Sequence, residues 1–236
     1  MSPPDPRTTA NSDLPQCATQ GDSTITELDW FFEPCWKGVR LLARLEDGRV
    51  RLTDEHGIPA GPEMDEAARV LQDAIDANQA LIDGSWTAMP FTGVGSQARE
   101  RAKAMAGEEG KTPPHAASFE TRRAFVAWDL VELDGQLLHD IPYQERRRLL
   151  ESVILEGIRV RISLSVRQPI RGWLEAWRSD GFTHYVAKHA NSRYRPGETA
   201  PDWLQMSVLT DGQPSILERI FGSPRRRVPD ASHRES

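Results

Sequence analysis

Trp30-Phe-Phe-Glu-Pro-Cys-Trp-Lys-Gly-Val-Arg-Leu-Leu-Ala-Arg44 lies just past Leu28, where ordered structure is predicted to begin. Its second half continues into a hairpin. Val39 to Leu45 and Arg49 to Thr53 read as two strands, because Asp-Gly within Glu46-Asp-Gly48 separates two apolar runs and such a pair favours a tight turn. If the first half is also extended, Cys35 and Lys37 project to the same side, since side chains on a strand alternate.

Outward from the hairpin, Met64, Ala67, Ala68, Leu71, Ala74 and Ile75 recur at helical spacing. Glu63, Asp65 and Glu66 fall in the first turn, at the positive end of the helix dipole. Ala80 to Ser85 and Ala124 to Val131 read as core strands. Between them, Thr92 to Thr121 is polar and carries Pro113-Pro114, which predicts a long surface excursion. Asp140 is predicted to cap a helix with Pro142 in its first turn. Leu149, Leu150, Val153 and Ile154 would form its buried stripe, so Arg146, Arg147 and Arg148 are expected to point mostly outwards, as a solvated face or a DNA contact. Val160, Ile162 and Leu164 alternate like a half-buried strand. Ile170, Trp173, Leu174 and Trp177 share one helical stripe, which makes these tryptophans packing residues rather than base-stacking platforms.

At 236 residues with 38% hydrophobic content, the chain has enough material for one cored domain with tails. Residues 1–24 are rich in Pro, Ser, Thr and Asp and are predicted to be a disordered leader, residues 25–209 the domain, and residues 210–236 a flexible tail. A net charge of −6 argues against strong nonspecific binding to nucleic-acid phosphates, although the tail carries Ser223-Pro-Arg-Arg-Arg227. Cys17 and Cys35 are the two cysteines, so no disulfide framework is expected and a reducing, cytoplasmic setting follows. The start has no apolar signal core, and no run approaches the ~18 apolar residues of a membrane span. No Cys/His spacing of the zinc type, Gly-rich phosphate loop or internal repeat occurs.

Five blocks in order resemble the adenylation (nucleotidyltransferase) domain of ATP-dependent DNA ligases. Glu33, Trp36, Gly38 and Arg40 match the first family motif, Glu-x-Lys-Trp-Asp-Gly-x-Arg. Arg51-Leu-Thr-Asp-Glu-His-Gly57 resembles Leu-x-Ser-Arg-Asn-Gly, and Leu81-Ile-Asp-Gly-Ser-Trp86 resembles Leu-Asp-Gly-Glu. Phe125-Val-Ala-Trp-Asp-Leu-Val-Glu-Leu-Asp-Gly135 with Ile-Pro-Tyr-Gln-Glu-Arg-Arg-Arg-Leu-Leu150 is similar to Phe-Asp-Leu-Leu-x-x-x-Gly … Pro-Leu-x-x-Arg-Arg-x-x-Leu. Gly181-Phe-Thr-His-Tyr-Val-Ala-Lys-His189, Tyr194-Arg-Pro-Gly197 and Asp202-Trp-Leu-Gln-Met-Ser207 complete the set. Blocks spread over residues 28 to 208 make chance a poor explanation.

The resemblance implies an α+β fold of the DNA ligase and mRNA-capping-enzyme type, with antiparallel sheets flanked by helices around a nucleotide cleft, in an ATP-grasp-like arrangement. It also implies nucleotide contacts from Glu33, Gly38, Arg40, Trp128 and Lys188, with ATP or AMP as the ligand. In relatives the Glu reads the adenine amino group, the Arg lies near ribose and phosphates, and the aromatic stacks on the base.

The reacting groups depart from the family pattern. Cys35 replaces the lysine that forms lysyl-AMP, and Lys37 replaces the motif aspartate. Glu55 stands for a nucleotide-holding arginine, Ser85 for a glutamate, Thr183 for a metal-associated glutamate, and Gln205 and Ser207 for two triphosphate-neutralising lysines. Phosphoryl transfer needs an in-line nucleophile and cationic stabilisation. The leading expectation is therefore a degenerate homologue that retains nucleotide binding or binding of DNA or a DNA-repair protein, with no metal site. One alternative is an active ligase using Lys37 as nucleophile with Mg2+. Lys37 would have to approach within about 3–3.5 Å of the phosphate. A cysteine nucleophile at Cys35 would need a base such as His184 or Lys37 and a lowered pKa. A non-catalytic interaction module is the remaining alternative. Too few residues follow Ser207 for the five-stranded oligonucleotide-binding barrel that accompanies the family's domain.

Overall fold

A computed structural model of the chain describes residues 14–21, 25–88 and 123–208. The hairpin forms as read, β3 (Val39–Glu46) pairing antiparallel with β4 (Arg49–Thr53). Asp47 and Gly48 take φ of 50° and 68°, the left-handed pair that a two-residue turn matching strand twist requires. β3 also pairs with β5 (Ala80–Thr87), which pairs with β6 (Ala124–Leu133), and β7 (Gln136–Leu137) and β8 (Val160–Ile162) both join β6. These six strands form the larger sheet. Every residue of β5 is buried, because helices cover one face of it and a second sheet the other.

The second sheet has the order β1 (Cys17–Gln20), β10 (Thr199–Ser207), β9 (His184–His189), β2 (Trp30–Pro34). Its β9 pairs antiparallel with both β10 and β2, whereas β1 joins β10 in parallel. The architecture is the expected α+β one, with parallel pairs only at β1–β10 and β6–β8 among the described residues.

Side-chain alternation sorts the core into layers. Leu41, Ala43 and Leu45 of β3 face α1 (Asp65–Gln72) and α2 (Tyr143–Val153), packing with Ala67, Leu71, Leu150 and Val153. Leu42 faces the other way and meets Leu81, Val131, Tyr194 and Trp203 between the sheets. On the outer face of the smaller sheet, Phe32, Tyr185 and Ala187 pack under α3 (Arg171–Ser179), whose Trp177 is fully buried. None of the described helices is long and apolar enough to cross a membrane.

Three expectations need correction. Cys17–Gln20 is a strand within the supposed disordered leader, because β10 offers it an open edge across the fold and Thr19 Oγ1 donates to the Ala200 carbonyl. Helix α2 starts at Tyr143 with Pro142 as its N-cap and no side-chain cap, so Asp140 does not cap it. The arginines of α2 do not share an outward face either. Arg146 is wholly buried while the Arg148 side chain is 75% exposed, since Arg146 has a buried carboxylate to meet. The excursion from Thr92 to Thr121 and the tail beyond 210 lie outside the described residues.

Candidate functional site

Where the two sheets face one another, a cleft of about 190 Å³ opens between β2, β9 and β10 on one side and β3, β5 and β6 on the other. Glu33, Cys35, Gly38, Arg40, Trp128 and Lys188 all line it.

Strand register explains the first pair. Phe31 lies opposite Lys188 and Glu33 opposite Val186, so Glu33 and Lys188 are diagonal neighbours on one face of the sheet. Lys188 Nζ lies 3.3 Å from Glu33 Oε1 and donates to the Trp128 carbonyl at 3.1 Å. It also sits 4.4 Å from the Trp203 ring centroid and 4.8 Å from that of Tyr143. The Tyr143 hydroxyl donates to the same Glu33 oxygen. Burial, and then the Glu33 carboxylate, push that hydroxyl well above its ordinary pKa, so it remains a donor at any physiological pH.

The second pair spans β3 and β5. Arg40 grips Asp83 with two bonds, Nε to Oδ1 at 3.1 Å and Nη2 to Oδ2 at 2.7 Å, and donates to the Gln16 carbonyl at 2.7 Å. Tyr194 adds a hydroxyl bond to Asp83 Oδ2 at 2.8 Å. Burial works against the Arg40 charge, but Asp83 outweighs it and the guanidinium is held protonated more firmly than usual. The Arg40 guanidinium carbon lies 5.6 Å from the Trp128 ring centroid.

Cys35 follows β2 and its backbone N–H donates to the His184 carbonyl at 3.0 Å. Its thiol is pushed up to about 12, by burial and then by Glu33, against the opposing pull of Lys188 and Arg40. That is the reverse of what an activated cysteine needs. The His184 ring pairs with Thr183 Oγ1 at 3.0 Å and does not line the cleft.

Lys37 parts company with Cys35. Residues 35–37 belong to no strand, so alternation does not carry the two side chains to one side. Lys37 is exposed, its Nζ lies 3.4 Å from the Gly181 carbonyl, and it is absent from the cleft lining. Gly38 tightens this bend. A Cβ there would lie 2.4 Å from the Trp86 carbonyl oxygen and 2.7 Å from Ser85 Oγ.

Among the positions that depart from the ligase pattern, Ser85 and Gln205 line the cleft, while Glu55, Thr183 and Ser207 do not. Among the described residues no group of three or more His, Cys, Asp or Glu could hold a metal ion. Sequence reasoning missed Gln16, Ala18, Val186 and Trp203, which line the cleft as well, beside Pro34 and Trp36. For Gln16 no local signal existed, because its partners Tyr194 and Arg195 come from the far end of the chain.

The family model described as "ATP dependent DNA ligase domain" matches residues 15–206. The chain belongs to the ATP-dependent DNA ligase family. It is 30% identical over 198 residues to the multifunctional non-homologous end joining protein LigD of Mycobacterium bovis, covering 81% of this chain and 23% of that protein. It is also 25% identical over 197 residues to DNA ligase 2 of Methanosarcina mazei, covering 78% of this chain and 33% of that one. The chain thus spans between about a quarter and a third of the length of these relatives. Among solved structures, the ligase domain of M. tuberculosis LigD superposes with a TM-score of 0.59 at 27% identity, over 83% of this chain and 59% of that one. Chlorella virus DNA ligase-adenylate shares the fold at a TM-score of 0.51 and 14% identity, over 82% of this chain and 66% of that one.

Proposed function

We propose that this chain is a degenerate ligase homologue that binds an adenine nucleotide in the cleft and forms no covalent adduct with AMP. One observation carries the reading. The position of the family's nucleophilic lysine holds Cys35, whose thiol is kept neutral by burial and by Glu33. The groups expected to meet adenine and ribose, Glu33, Arg40 and Trp128, still line one cleft, which supports retained binding. A bound nucleotide would present its base to Trp128 and its sugar toward Arg40. DNA or a DNA-repair protein is the corresponding partner class, as the relatives' names for LigD suggest.

The test is incubation of the purified chain with labelled ATP and magnesium or manganese, followed by acid precipitation and mass spectrometry, beside equilibrium binding of unlabelled nucleotide. Saturable binding without an acid-stable adduct is expected. Stoichiometric adduct at Lys37 or Lys188 would establish an active enzyme instead. Absence of all nucleotide binding would leave an interaction module. Cys35→Lys alone should remain unable to self-adenylylate, because Ser85 and Gln205 still line the cleft without a carboxylate or a cation.

A further inference from the structure

The polar groups around the cleft include several already committed and one, wholly buried, that is not. Lys188 and Arg40 are the lining cations, and each is spent on a buried carboxylate. Lys188 is further enclosed by the Trp203 and Tyr143 rings and the Trp128 carbonyl, and Arg40 by the Gln16 carbonyl. A polyphosphate arriving here would have to break these charge-assisted bonds to gain its own, at little net benefit. Gln205 and Ser85 add only neutral groups. At about 190 Å³, the cavity is also smaller than the roughly 300–1,000 Å³ of sites that enclose whole cofactors.

Gln16 is the uncommitted group. Its side chain is wholly buried, and three of its polar atoms are held: the backbone N–H donates to Tyr194 Oη at 3.3 Å, the carbonyl accepts from Arg40, and Oε1 accepts from the Arg195 N–H. Nε2 has no hydrogen-bond partner among the described residues, although Gln16 lines the cleft. A buried donor without a partner is uncommon, and an acceptor entering the cleft would satisfy this one once the Gln16 amide turns out of the wall.

We propose that the cleft takes an adenine nucleoside, with Gln16 Nε2 donating to an acceptor on the base or sugar, and that it gains nothing from a 5′-polyphosphate. This rests on the cleft being a nucleotide site as inferred above and narrows its ligand class. Recognition then comes from the tryptophan walls and from neutral hydrogen bonds, and is independent of divalent metal.

Isothermal titration of the full chain with adenosine, AMP and ATP, each with and without Mg2+, tests the inference. Dissociation constants within about threefold of one another and unmoved by Mg2+ are expected. Gln16→Met and Gln16→Glu should each weaken adenosine binding about tenfold, with the thermal midpoint of each variant showing that the fold persists. ATP binding more than tenfold tighter than adenosine, or requiring Mg2+, would overturn the inference while leaving nucleotide binding intact. Unchanged adenosine affinity in both folded variants would overturn the role of Gln16. No binding of any of the three ligands would remove the nucleotide reading itself, and this inference with it.

Discussion

Asp83 and Asp129 lie opposite one another on β5 and β6, both fully buried, at a point where the register between the strands shifts. Like charges in cross-strand positions repel, and neither has water to screen it. Each is neutralised by its own arginine, Asp83 by Arg40 from β3 and Asp129 by Arg146 from α2. Tyr194 sits between the two systems, bonded to Asp83 through its hydroxyl and facing the Arg146 guanidinium with its ring at 5.6 Å. Beside the cleft there is therefore a charge-balanced layer that ties the central strands to a helix and, through Arg40, to the segment before β1.

Removing one member of a buried pair leaves the other uncompensated. Arg146→Ala is expected to destabilise the fold by about 3–5 kcal/mol, with loss of the bonds to the Ile141 and Ser192 carbonyls included. Arg148→Ala, two residues along on the exposed face, should stay within about 0.5 kcal/mol. Urea unfolding of the two variants checks this, and equal effects would contradict the buried role of Arg146.

Lys188→Met should also cost several kcal/mol, roughly 3–5, because Glu33 keeps its Tyr143 bond but loses its cation. The double variant Lys188→Met with Glu33→Gln is expected to recover part of that loss, since the stranded charge is gone. A double variant as unstable as the sum of the two singles would show that the residues do not act as a pair.

Gly38→Ala probes the bend that separates Lys37 from Cys35. The new Cβ would press on backbone at Trp86, which cannot swing aside, so a destabilisation of about 1–3 kcal/mol is expected. Thermal unfolding reads it directly. An unchanged midpoint would mean that β3 and β5 do not approach as closely as described.

The two cysteines should differ in reactivity. At pH 8, iodoacetamide is expected to label the exposed Cys17 well before Cys35, whose thiol is pushed up to about 12 by burial and then by Glu33. Peptide mapping over time distinguishes them. The same shift has a stability consequence. A thiol titrating at 9.0 when unfolded and near 12 when folded contributes stability in full below pH 9 and loses it as pH climbs toward 12. Tyr143 and Tyr194, raised above 10.0 by burial and then by Glu33 and Asp83 respectively, add the same sign from pH 10 upwards. The urea midpoint should fall above pH 9, and Cys35→Ala should flatten the fall between pH 9 and 10.

Most of the fold was legible in local patterns. The Asp-Gly turn placed β3 and β4, apolar spacing placed α1 and α3, and the mainly apolar stretches Ala80 to Ser85 and Ala124 to Val131 placed β5 and β6, since each of these depends on residues within one or two turns of one another. The ordered motif blocks identified the α+β class and gathered Glu33, Gly38, Arg40, Trp128 and Lys188, which the structure does bring to one cleft.

Long-range partnership decided the rest. Gln16 and β1 acquire their place only when β10, about 180 residues later, presents an open edge. Arg146 turns inward although its neighbour Arg148 does not, because one buried carboxylate on β6 can repay the desolvation of one guanidinium. Lys37 leaves the cleft because Gly38 packs against β5 and the chain between β2 and β3 is not extended. Sequence alone determined which chemical groups this protein carries and most of the strands and helices between β3 and α3. Which charges those groups meet, and so which remain available to a ligand, depends on contacts between strands remote in sequence, and those exist only in the folded chain.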